Sequence, residues 1–343
     1  KQLLPNARGP EAVGLVHIPQ GGHCYDARIQ YYTGLALPAQ SLHEFGLSEV
    51  ARINTEMREL GKELFGTDDL AVIVERLRTD QSLYFADAKS IVGKAEEAVA
   101  KARAAMPKYF GTLPKADVVV TPIPEYEAPY TTIAYYRQPH VDGSKPGEYF
   151  INTYKPEVRP RYEMEVLAFH EAIPGHHLQI AISQELSALP AFRRHTGNTA
   201  FVEGWALYTE RLADEMGLYT GPLDRMGMLS YDAWRASRLV VDTGIHALGW
   251  TRAQAETFMT EHTALTHDNI VNEVDRYITW PGQALAYKVG QRTIMQLREA
   301  AETKLGERCD IRGFHDAVLT HGAVSLQVLK KNIEAWSDAR LRR

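Results

Sequence analysis

Three imidazoles and a carboxylate fall within eight residues, His170-Glu171-Ala172-Ile173-Pro174-Gly175-His176-His177. Neutral imidazole and carboxylate are ligands that zinc takes, and a catalytic zinc keeps one position open for water. A glutamate beside the ion can then remove that water's proton. On a plain helix the pattern His-Glu-x-x-His sets two histidines one turn apart on one face. Pro174 breaks that pattern here and delays the second histidine to 176 or 177. An unbroken helix would serve neither. Residue 177 shares the azimuth of 170 but lies roughly 10 Å further along the axis, too far for two bonds of about 2 Å to one ion, and 176 has the wrong azimuth. Pro174 removes an amide from the helix and Gly175 admits almost any backbone angle, so a kink or bulge is expected to return a late histidine to the ion. A third ligand is offered by Phe201-Val202-Glu203-Gly204-Trp205-Ala206-Leu207-Tyr208-Thr209-Glu210, where Glu203 lies among apolar residues and should face inward. A buried carboxylate wants a cation.

The stretches HEAIPGHHLQ, FVEGWALYTERL, RLVVDTGIHALGW and RYITWPGQALAYKVG resemble the bacterial domain-of-unknown-function family DUF885 over nearly the whole chain, which corresponds to the C-terminal part of longer members. That family is similar to the gluzincin metallopeptidases, whose ligands are two histidines and a downstream glutamate. The resemblance implies a gluzincin-like helical architecture with a kinked metal-binding helix and one Zn2+ per chain. Its ligands would be His170, His176 or His177, and Glu203, with Glu171 as general base. Aligning Gly-His with the Gly-His that often ends the gluzincin motif favours His176. The same-face argument and the following Leu-Gln-Ile favour His177, the preferred reading. Gluzincins similar to this family also place one or two phenols from a late segment beside the metal, where a hydroxyl stabilises the developing oxyanion. Tyr287 is the first candidate for that role and Tyr277 the second.

The elements that must position these groups read as mainly α with a small β-sheet. Residues 1–40, rich in Gly and Pro, read as extended structure leading into a short helix. Helical patterns follow at 48–65, 69–79 and 86–106, the last closing before Pro107. Between 113 and 155 short β-branched and aromatic runs predict about three strands, at 118–120, 131–136 and 148–153. The edge of the last strand could lie beside the metal and hold an extended peptide through main-chain bonds, with Tyr149 and Asn152 as contacts; the alternative sets Tyr149 in the core and Asn152 in a turn. A two-segment helix over 161–173 and 175–187, a loop over 190–198 and helices over 199–216, 222–248, 252–262 and 282–304 complete the frame. Two further helices fill 312–342. A break near 110 would divide an N-terminal scaffold, 1–110, from the sheet and metal region, 111–343, within one compact unit.

On the long helix, Arg235, Arg238, Asp242 and His246 recur at spacings of three and four and share a face. Polar groups on a buried face must be paired. An Arg–Asp pair would explain part of the pattern. The functional alternative is that Arg238 binds a substrate carboxylate or that His246 hydrogen-bonds the reacting carbonyl. Arg276 and Lys288 are the other candidates for anchoring a terminal carboxylate, which would make a carboxypeptidase or dipeptidase rather than an oligopeptidase.

With 45% hydrophobic and 24% charged residues in 343, the chain can bury a sizeable core. A net charge of −5 without blocks of one sign argues against nucleic acid or an anionic membrane as the main partner. No apolar run is long enough to span a bilayer and the start does not resemble a signal peptide, so a soluble chain is expected. It could be cytoplasmic, or periplasmic or secreted after removal of a leader. Lys1 in place of Met leaves room for an N-terminal portion of the same precursor. The two cysteines cannot build a disulfide framework or a cysteine zinc site. The expected function is a zinc metallopeptidase acting on small peptides. The alternatives are a zinc amidohydrolase acting on a small non-peptide amide, and a non-catalytic binding module.

Overall fold

The computed structural model describes residues 8, 9 and 11–342. In chain order the helices and strands are α1 (Gly21–Thr33), α2 (Ala39–Phe65), α3 (Leu70–Thr79), α4 (Ala88–Tyr109), β1 (Val118–Pro122), β2 (Ala134–Arg137), β3 (Gly147–Ile151), α5 (Met164–Glu171) and α6 (His176–Glu185). They continue with α7 (Ala191–His195), α8 (Thr199–Glu215), α9 (Pro222–His246), α10 (Arg252–His262), α11 (His267–Thr279), α12 (Ala286–Leu305), α13 (Ile311–Leu319) and α14 (Leu326–Leu341). The fold is mainly helical with one small sheet, as the sequence patterns imply.

The chain separates into two compact units, each made of two segments. One comprises the residues up to Thr79 with Leu229–Lys288, the other Asp80–Met228 with Val289–Arg343. The expected break near 110 is therefore not where the chain divides. The reason is α4, which packs on α5 and β1 and so belongs with the sheet and with α5.

In the first unit, the short helix expected within residues 1–40 is α1, beginning at Gly21. Tyr25, Ile29 and Tyr32 are its buried stripe at helical spacing, and the glycines that suggested a loop open the helix. The core gathers Val241, Ile245, Met259, Leu265, Ile270, Val274 and Tyr277. Asp242, wholly buried, does not pair with an arginine. It accepts from the Tyr25 hydroxyl at 2.5 Å and from the Gly282 amide at 3.1 Å, which ties α1 and the Trp280-Pro281-Gly282 step to α9. Burial pushes its carboxyl up to about 7, against those hydrogen bonds.

In the second unit the sheet order is β1-β3-β2, with β1 parallel and β2 antiparallel to β3. Every residue of α5 from Met164 to His170 is buried, because the helix lies among α4, α8 and β2. Helices α8 and α12 cross at glycines: a Cβ on Gly204 would lie 2.4 Å from Gly290 Cα, and one on Gly290 1.9 Å from the Ala200 carbonyl oxygen. Side chains larger than hydrogen would push the helices apart. His315, on α13, bridges the Tyr208 hydroxyl and the Tyr109 carbonyl at 2.8 Å each, a structural use of the ring.

Candidate metal centre

The site is built where α5 stops. That helix ends at Glu171, the Ile173–Pro174 peptide is cis, and α6 begins at His176. The turn doubles back tightly: a Cβ on Gly175 would lie 1.9 Å from the His170 carbonyl oxygen and 2.4 Å from that of Phe169. Only glycine fits so close to backbone. The turn is fastened on its far side by the Trp205 indole, which donates to the Pro174 carbonyl at 3.0 Å. The delay that takes the second histidine off helical register is thus undone by the path of the chain.

This path brings His170, His176 and Glu203 together, each offering one ligand atom, with all three atoms within 4.8 Å of one another. Glu203 Oε2 lies 3.9 Å from His170 Nε2 and 3.7 Å from His176 Nε2. The two rings stand nearly perpendicular, at 85°. Ligand atoms at about 2.0–2.1 Å from one ion in tetrahedral directions would be about 3.4 Å apart, so the residues fit zinc with small adjustments. Glu203 is the open member, its side chain 22% exposed beside the 5% of His170.

Behind His170 stands a residue that the sequence reasoning left unassigned. Glu210, 1% exposed, accepts from His170 Nδ1 at 2.7 Å. A carboxylate on one ring nitrogen fixes the tautomer, leaves Nε2 as the free lone pair and raises its basicity, which is how metal-binding histidines are commonly held. The signal was present in the spacing: Glu210 follows Glu203 by seven residues, two turns of α8, and lies on the same stripe.

Comparison with known proteins agrees with the motifs. The model of the bacterial proteins of unknown function called DUF885 matches residues 1–333. The chain belongs to this family. No curated protein matches. Among solved structures, a "putative lipoprotein" from Colwellia psychrerythraea is 37% identical with a TM-score of 0.93, over 98% of this chain and 58% of that one. A "putative lipoprotein of unknown function" from Shewanella oneidensis is 21% identical with a TM-score of 0.81, over 96% of this chain and 61% of that one. The DUF885 chain thus spans about three fifths of the length of either.

Other candidate residues of this DUF885 chain are placed differently from expectation. His177, the preferred second ligand, turns away from the triad: its Nδ1 accepts from the Tyr136 hydroxyl at 2.9 Å and its Nε2 donates to the Ala116 carbonyl at 3.1 Å. Burial pushes its pKa down to about 4, so it is neutral and both nitrogens are engaged. Strand β3 is the centre of the sheet and paired on both sides, so it offers no edge to a peptide. Asn152 clamps the neighbouring loop instead, donating to the Ala128 and Thr132 carbonyls and accepting from the Tyr154 amide. Tyr149 is wholly buried.

The remaining candidates all lie in the first unit. His246 does not keep a nitrogen for a carbonyl: Nδ1 accepts from the Leu15 amide and Nε2 donates to the Tyr277 carbonyl. Tyr277 donates to Glu273 at 2.6 Å and accepts from Arg238 and Trp234. Lys288 is fully buried between Asp232 and Glu49, at 2.5 and 2.9 Å. Arg276 is held by Glu273 and Gln283. Arg238 lies between the rings of Trp234 and Tyr287, 4.4 and 4.5 Å from their centres, and keeps one buried nitrogen, Nη1, without a partner.

Proposed function

We propose that the chain is a zinc-dependent hydrolase that cleaves peptide bonds of small peptides, with Glu171 as its general base. The observation that carries this reading is the convergence of His170, His176 and Glu203, with Glu171 next in sequence to the first ligand and Glu210 behind it. A structural zinc site closes with four protein ligands, whereas a catalytic one has three and an open position. Among the described residues three converge here. Bound there, zinc would acidify a water toward neutral pH and polarise the scissile carbonyl.

The chain's own residues do the rest. Glu210 keeps His170 presenting Nε2, and the Gly175 turn, fastened by Trp205, holds His176 at its distance from Glu203. Glu171 takes the proton of the attacking water and passes it to the leaving amine. Peptides rather than other amides are favoured by the resemblance to gluzincins. The test is zinc content of the purified, reconstituted chain beside Glu171→Gln and His170→Ala. About one zinc per chain in the parent and in Glu171→Gln, lost in His170→Ala, with hydrolysis of a peptide library only in the parent, is the expected result. A parent that takes up no zinc would sink the proposal. The lipoprotein name of the two similar chains also supports an exported location, and fractionation that found the protein only in the cytosol would remove that part.

A further inference from the structure

A cavity of about 320 Å³ opens between α4, the segment 113–117 and the first turn of α6, all in the second unit. It lies off the metal side of α6, for its wall includes His177, which turns away from the triad. The segment 113–117 is strapped along α6 at two points. The Lys115 and Ala116 amides donate to the Glu185 carboxylate at 2.8 and 3.1 Å, and the Ala116 carbonyl accepts from His177 Nε2 at 3.1 Å. The inner wall is apolar, with Met106, Val118, Ile173 and Leu178 all buried. Its polar groups are already satisfied, since His177 has both ring nitrogens engaged and the Ala116 carbonyl is taken. The rim is the opposite. Arg103 and Lys115 stand there exposed, and Lys115 forms no ion pair among the described residues. Arg103 donates through Nη2 alone, to Asp117 at 2.5 Å and to the Val118 carbonyl at 3.0 Å, which leaves the Nε and Nη1 edge of its fork unused among the described residues. Two cations against the carboxylate of Asp117 give the lining a net positive charge at its mouth.

We propose that this cavity binds a small monocarboxylic acid with an apolar body. The body lies against Met106, Ile173 and Leu178, where its burial releases water. The carboxylate stays at the rim, held by the unused edge of Arg103 in the fork geometry that suits a carboxylate and by the Lys115 ammonium. A neutral apolar molecule would leave both cations unmatched, and a cation would be repelled at the mouth. A bare anion would leave the apolar wall wet. The volume stands at the small end of the range in which proteins hold ligands, about 300–1,000 Å³, which limits the body to a single ring or a short chain. The site is separate from the metal centre and does not depend on the hydrolase reading.

The test is calorimetric titration of the whole chain with hydrocinnamate, with hydrocinnamamide, which keeps the body and removes the charge, and with acetate, which keeps the charge and removes the body. Saturable binding of about one hydrocinnamate per chain is expected, with the amide and acetate each weaker by about tenfold or more. The Arg103→Gln, Lys115→Gln double variant changes only exposed side chains, and the exposed Arg103–Asp117 pair it removes contributes little to stability, so Tm should hold. In that variant the acid should weaken by about tenfold and the amide should bind as before. With isotope-labelled methyl groups, the Met106 and Ile173 signals should move as hydrocinnamate is added. No binding of hydrocinnamate would overturn the proposal. So would an amide that binds as tightly as the acid, an acid whose affinity survives the double variant, or binding that moves neither methyl signal.

Discussion

Adjacent histidines with opposite uses make the sharpest test at the scale of single residues. His176 faces His170 and Glu203, whereas His177 is neutral and spans Tyr136 and Ala116. Replacing His176 with Ala should abolish stoichiometric zinc, measured by mass spectrometry of the desalted protein. Replacing His177 with Ala should leave the zinc and cost about 1 kcal/mol of stability in urea unfolding, because two partly buried polar partners lose their bonds. Zinc retained in the first variant and lost in the second would reverse the assignment. Glu210→Ala is expected to weaken zinc about 10- to 100-fold in a competition titration with a chromogenic chelator, since His170 then loses the carboxylate that orients it.

For the elements, the decisive joint is the turn from α5 to α6. Gly175→Ala places a methyl against two backbone oxygens that cannot move without unwinding α5. We expect a loss of about 3 kcal/mol or more together with the zinc site. Gly93→Ala in α4 serves as the control, because nothing lies within 4 Å of its Cβ and a helix gains by the change. How far such elements were legible in the sequence follows from how local their causes are. The strand runs and the tail helices depend on neighbours in sequence and fall close to where the patterns put them. His170, Glu171 and Glu203 stood out by residue type and apolar setting. The choice between His176 and His177 depended on a backbone path that no periodicity encodes. The central place of β3 depended on strand order, which is set by contacts between distant residues, and it removed the peptide edge expected there. Glu210 was within reach of the seven-residue spacing, but its use depends on the placing of α8 against α5, which the sequence does not encode locally.

Across the whole molecule, two units each assembled from separated segments mean that neither is complete until late parts of the chain have returned. The pH dependence of the first unit should bear the mark of Asp242. Its pKa is raised from 3.8 to about 7 on folding, so the folded state holds the proton more tightly. The stabilisation is therefore fully present below about pH 4 and lost as pH rises toward about 7. The Tm of the parent, compared with Asp242→Asn at each pH, should fall over that interval. A difference that stays flat would show that the carboxyl is ionised throughout. In the second unit, removing zinc with a chelator should lower Tm, because ligand binding to the folded state alone adds to its stability.

Pro174 and Gly175 have one more consequence. Deleting them on paper leaves His-Glu-Ala-Ile-His, the one-turn spacing of a continuous helix. Two residues are about 200° of helical rotation. With the deletion α6 would continue the axis of α5, and Leu178, Ala181 and Ile182, all buried, would be carried away from the neighbours they now pack against. The inserted pair acts as a joint: it lets two helix axes with different directions each give a histidine to the same ion while each packs its own stretch of core.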